Sequence, residues 1–144
     1  MPVTHEYLAD EGFVLFTLTD EIELEGLIQE VNAFRASPGY DPICNAVVDI
    51  TAADLSAMSA EKWEQLADFL TSVSVDTPYK QGYVTGSKNI NIIPFRLFAA
   101  YLEMSGGAFV QRFFITREDC MEWLAAPWTD EELASVSSPR NSNC

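Results

Sequence analysis

Apolar positions along this chain follow two rhythms: short continuous or alternating runs, and stripes at helical spacing. THEYLA and FVLFTLT flank Asp10-Glu11-Gly12, a turn tripeptide, and predict a β-hairpin. Leu24, Leu27, Ile28, Val31 and Phe34 then fall on one narrow stripe, with Glu21, Glu25, Gln29 and Asn32 opposite. That pattern predicts a surface helix packed on a sheet. Asp20 is its expected cap, with Glu23 at the capping-box position. SPGYDP ends it. ICNAVVDI is a near-continuous apolar run, as in a parallel strand covered on both faces. From Asp49 a loop of small and hydroxylated residues leads to Ser59, the expected cap of a second helix with Trp63, Leu66, Leu70 and Val73 inward. QGYVTG reads as a short strand. NINIIPFRLFAAYLEM reads as a third helix with Pro94 in its first turn, stopped by Gly106-Gly107. AFVQRFFI is the last strand. Thr116 and Asp119 cap a fourth helix, and Thr129 with Glu132 caps a short final one.

The order β-β-α-β-α-β-α-β-α predicts an α/β fold: a mixed, mostly parallel sheet of about five strands with about four helices and right-handed crossovers. The first strand is expected as an antiparallel edge. Residues 1–126 are expected to form the domain, and 127–144 a short helix followed by a disordered tail, SSPRNSNC. At 144 residues one domain is expected, large enough to bury a core without disulfides or metal.

Charge narrows the partners. Eight basic residues against 22 acidic ones give a formal charge of −14. Such a surface repels nucleic-acid phosphates and anionic headgroups, so no nucleic-acid partner and at most transient membrane contact are expected. Cys44, Cys120 and Cys144 form no C-x-x-C pair and no disulfide framework, which fits a reducing cytoplasm. The N-terminus has no basic-then-apolar signal pattern, and the apolar runs fall far short of a membrane span.

In a parallel sheet, ligands and partners favour the carboxyl ends of the strands. Here that rim comprises Thr19-Asp20, Asp49 to Ser59, Thr85 to Asn91, and Thr116-Arg117. His5 is the only histidine and lies at the start of an edge strand, so no nucleophile has an obvious base. Scattered Cys and a lone His do not make a metal site, and neither nucleotide-binding glycine signature is present. No cofactor and no enzymatic activity are expected. A phospho-aspartate receiver would use Asp20-Glu21, Asp49, Thr85 and, as its cation, Arg117; helix-cap and loop roles account for those acids equally well.

The third helix is apolar over about half its circumference, wider than one sheet contact needs. Ile92, Ile93, Phe95, Phe98, Tyr101 and Leu102 are therefore candidates for a face toward an apolar ligand, a membrane surface or a second subunit. A well-buried helix is the plain alternative. Lys80, Lys88 and Arg96 make this stretch locally basic, and Lys88 and Arg96 are the candidate anion contacts.

The same element order, with ICNAVVDITAADLSAMSAEKWEQL and GGAFVQRFFITREDCMEWL, resembles the STAS-type, SpoIIAA-like family, also described as STAS/SEC14-like, over roughly residues 3 to 125. The resemblance implies a four-helix, mixed-sheet domain. It also implies partner switching as in anti-sigma-factor antagonists, where a serine ten residues beyond the strand aspartate is phosphorylated and the added charge breaks the complex. Ten residues beyond Asp49 is Ser59. Those antagonists carry Asp-Ser-Ser-Gly where this chain has Ala57-Met58-Ser59-Ala60. The SEC14-like side implies an apolar-ligand or membrane-surface role for the third helix. The leading expectation is thus a non-enzymatic regulatory domain that docks a protein partner through Asp49, Thr51, Ser56 and Ser59. The alternative is a small apolar-ligand or lipid-binding domain.

Overall fold

Runs rich in β-branched and aromatic residues form the strands, and the striped segments form the helices between them. In the computed structural model, residues 2–40, 44–73, 78–87, 92–104 and 109–136 are described. The elements are β1 (Val3–Leu8), β2 (Phe13–Glu21), α1 (Leu24–Arg35), β3 (Asn45–Asp54), α2 (Ala60–Val73), β4 (Tyr79–Val84), α3 (Ile92–Met104), β5 (Phe109–Phe114), α4 (Arg117–Ala125) and α5 (Asp130–Val136). A single 3-10 turn at Ala9–Glu11 closes the first hairpin.

The five strands lie in the order β1-β2-β3-β4-β5. β1 pairs antiparallel with β2, and every later neighbour pair is parallel. Each right-handed crossover steps to the adjacent strand in the same direction, which puts α1, α2 and α3 on one face and leaves the other to α4. Side-chain alternation on β3 then feeds two cores. Ile50 joins Leu18, Tyr83, Trp63, Phe95 and Phe98 under the three crossover helices. Val47 joins Leu15, Val84 and Cys120 under α4. This α/β architecture agrees with the expectation, except that the described helices number five rather than about four.

Two boundaries differ from the sequence reading. β3 does not stop at Asp49 but continues through Thr51 to Asp54, because β2 is long enough to pair with it there (Thr19↔Ala52, Glu21↔Asp54). A register shift between Thr17 and Thr19 absorbs one extra β3 residue, as in a β-bulge. Asp20 consequently stays in β2, at φ 59°, and is not a helix cap; a left-handed conformation is one that Asp tolerates better than most residues. The N-cap of α1 is Glu23, without a side-chain cap bond.

α5 packs against β5. Thr129 and Glu132 cap it reciprocally, at 3.0 and 3.1 Å. The other carboxylate oxygen of Glu132 accepts the Trp123 indole N–H at 2.8 Å. Beside that bond lies Lys80, only 1% exposed. Its ammonium donates to the carbonyls of Trp123 (2.8 Å) and Ala126 (2.9 Å) and sits over the rings of Trp123 and Trp128. It satisfies the last carbonyls of α4 where a cation is electrostatically favoured. Lys80 is therefore an interior cap, not part of a basic surface. At Gly82 the α4 helix approaches β4 so closely that a methyl group would overlap Cys120 Sγ.

Candidate functional site

The carboxyl rim forms where the sheet forks. β3 and β4 pair only as far as Asp49↔Val84, whereas β3 runs on beside β2. Asp49 sits at the fork and is buried. Its Oδ1 accepts the Thr51 backbone N–H at 2.9 Å, and its Oδ2 accepts Arg117 Nε at 2.6 Å. Burial pushes the Asp49 carboxyl up, but the hydrogen bonds from the Thr51 hydroxyl and backbone, together with the bond and charge of Arg117, outweigh it and hold the group below its ordinary 3.8. Across the fork, Gly86 at φ 73° lies so near Thr51 that a side chain there would reach its Cγ2 at 3.0 Å. Thr85 and Gly86 continue the β5 contact by donating to Phe114 O (2.9 Å) and Ile115 O (3.2 Å).

The other rim residues make local bonds. The Ser56 N–H donates to Asp54 Oδ1 at 3.0 Å, an Asx turn, and this bond with the Ser56 hydroxyl lowers the Asp54 carboxyl. Ser59 Oγ accepts the Lys62 N–H at 3.2 Å and its carbonyl accepts the Trp63 N–H at 3.0 Å, so it is the N-cap of α2. Both serines are exposed. The structure thus ties Asp49 and Thr51 together with Arg117, and holds Ser56 and Ser59 within their own turn. The sequence places Arg117 on the rim and offers it as the cation of a receiver, but no spacing in the sequence signals that it pairs with Asp49.

The α3 candidates divide. Phe95, Phe98 and Leu102 are core residues, packed at i, i+3 and i+7 toward α2, where Trp63 meets Phe95 and Phe98 ring to ring. They are not available to a membrane or a second subunit. Ile92 and Tyr101 are half-buried. Ile93 (76% exposed), Leu97 and Met104 form an outer stripe opposite the core. Arg96 is exposed with its guanidinium 5.0 Å from the Phe113 ring centre. Lys88 lies outside the described residues.

Between the sheet and the three crossover helices lie two adjoining, largely apolar cavities. One, of about 120 Å³, is lined by Phe34, Tyr79, Leu102 and Phe109 among others. The second, of about 90 Å³, is lined by Leu18, Leu27, Trp63, Leu66, Phe95 and Phe98 among others. Phe16, Val31, Ala46, Leu70 and Gln81 border both.

The His5 imidazole is engaged and the Cys120 thiol suppressed. His5 is not a free surface imidazole: its Nδ1 lies 2.5 Å from Glu30 Oε2, and its ring packs on Phe16 and Phe34. Cys120 is fully buried; desolvation first, and the Asp49 charge second, push its thiol up to about 11. Among the described residues no three His, Cys, Asp or Glu side chains converge as a metal site requires. No described helix is long and apolar enough to cross a membrane.

No family model and no curated protein matches the chain. Among solved structures, the chain is similar to an uncharacterized protein of the DUF3478 family with a SpoIIAA-like fold from Shewanella loihica. It is 16% identical, with a TM-score of 0.52 over 85% of this chain and 92% of that one. The fold of this chain is SpoIIAA-like.

Proposed function

On this SpoIIAA-like fold, we propose a non-enzymatic regulatory domain that docks a protein partner on the carboxyl rim of its sheet. The observation that carries the reading is the composition of the rim. An ion pair, Asp49–Arg117, links β3 to the first turn of α4, while Ser56 and Ser59 are exposed on the segment that leads from β3 into α2 and Ile115 is exposed two residues before Arg117. Ile115 is 59% exposed immediately after β5, and Ile93 is exposed at the start of α3, where the crossover from β4 enters the helix. Exposed apolar side chains beside an anchored charge give a surface with both contact area and register. Ser59 offers a means of regulation, since a phosphoryl group there would be held at the N-terminus of a 14-residue helix without unfolding it.

The test is affinity recovery from the protein's own cells, comparing wild type with Ser59→Asp, Arg117→Glu and a control, Glu11→Lys, at the opposite end of the sheet. A partner retained by the control and lost by both rim variants supports the reading. Equal recovery by all four overturns it.

A second reading, binding of a small apolar ligand between sheet and helices, is favoured by the two adjoining cavities. Their volumes suit a small molecule and not a long acyl chain.

A further inference from the structure

Buried polar groups in this protein are paired with care. Trp123 donates to Glu132, Gln81 Nε2 to the Tyr83 hydroxyl at 2.6 Å, Tyr83 to Gln111, and Gln111 Nε2 to the Ala99 carbonyl at 2.9 Å. Among the described residues, one buried side-chain polar atom stands apart: Trp63 Nε1, in a residue 1% exposed, meets no acceptor. An unpaired buried donor costs free energy and calls for an explanation. Trp63 also lines the smaller of the two cavities.

We infer that the Trp63 indole N–H is the hydrogen-bond donor for a neutral, largely hydrocarbon ligand carrying one carbonyl or ether oxygen, bound between the sheet and helices α2 and α3. The inference rests on the ligand-binding reading above and specifies its chemistry. Three features select the class. The neighbours of Trp63 around the cavity, Leu18, Leu27, Leu66, Phe95 and Phe98, accept only apolar contact. The one other polar lining side chain is Gln81, one of whose two amide N–H groups is given to Tyr83. A lone water would find only Trp63 and Gln81 among the lining side chains, the fewest polar partners a buried water uses, whereas a molecule with a single acceptor and an apolar body matches the rest of the lining as well. No cationic side chain lines the Trp63 cavity, so a carboxylate at the indole N–H would be buried without a counter-charge there, and Arg35 borders only the adjoining cavity. Cavities of roughly 150 Å³ accept a benzene-sized guest; the Trp63 cavity, at about 90 Å³, reaches that size only together with the adjoining one of about 120 Å³, so a ring would occupy both.

The experiment titrates full-length protein with cyclohexanone and with cyclohexene, matched in size but differing in the acceptor, and reads affinity by NMR for wild type and Trp63→Phe. The expected result is that Trp63→Phe weakens cyclohexanone by roughly threefold to tenfold and leaves cyclohexene unchanged. Should the variant fail to fold, the wild-type indole N–H signals decide. Glu132→Gln shifts the Trp123 signal and Trp128→Phe deletes another, which identifies Trp63. Its signal should move downfield with the ketone and not with the alkene. Equal binding of both compounds, with no loss in Trp63→Phe or no ketone-specific shift, overturns the inference and leaves ligand binding standing. Failure of both compounds to bind wild type at millimolar concentration overturns the inference and the ligand-binding reading together.

Discussion

Asp49 and Arg117, 68 residues apart, meet at 2.6 Å where β3 parts from β4, and the same carboxylate holds the Thr51 N–H. One acid thus joins the bulged end of β3 to the first turn of α4. Because Arg117 is partly exposed, its share of the stabilisation is discounted for solvent screening. Asp49→Asn keeps an acceptor for Thr51 but loses the charge, and should cost about 1 kcal/mol at neutral pH. Asp49→Ala also strands a backbone donor and should cost about 2 kcal/mol. Urea melts measure both.

The pH dependence follows from the depressed carboxyl. Its folded pKa lies below the unfolded 3.8, so the contribution is complete above that value and is lost as pH falls through the folded pKa. The stability gap between wild type and Asp49→Asn should be constant from pH 7 down to about 5 and close below about 4. A gap unchanged at pH 2.5 would contradict the ion pair.

Lys80 separates an interior cap from a basic patch. Lys80→Ala removes both carbonyl bonds and the ring contacts at the end of α4, and should lower stability by about 3 kcal/mol. A solvated lysine would cost under about 0.5 kcal/mol by the same melt.

Gly82→Ala should be strongly destabilising, by about 2 kcal/mol, because the new methyl meets Cys120 Sγ. Cys120→Ala makes room, so the double variant should recover part of the loss. A double-mutant cycle with additive losses would show that the contact is not the cause.

On α3, Phe98→Asp should unfold the protein, since it places a charge against Trp63 and Phe95. Leu97→Asp, on the outer stripe, should leave the circular dichroism melt within about 0.5 kcal/mol of wild type.

Features carried by neighbours three or four residues apart were legible in the sequence. The Ser59, Thr116 and Thr129 caps each bond a backbone N–H three residues on, so the residue type and its spacing state the interaction. The stripe Leu24, Leu27, Ile28, Val31, Phe34 likewise announced which side of α1 faces the sheet, and alternating strands and helices announced a parallel sheet with an antiparallel edge. The true end of β3 was not legible, because it depends on pairing with β2 more than thirty residues earlier.

The sequence by itself thus determined the order of elements, the inward faces of α1 and α2 and the fold class, since these rest on local periodicity and capping. Only the tertiary structure decided that Asp49 belongs with Arg117, that Lys80 is buried, that Phe95 and Phe98 are core, and that Trp63, which lines a cavity, has an unpaired indole N–H. Each of those depends on groups brought together from distant strands and helices. The same side chain in the same local sequence is a solvated cation or a buried cap, an open face or a core, according to what the folded chain places against it.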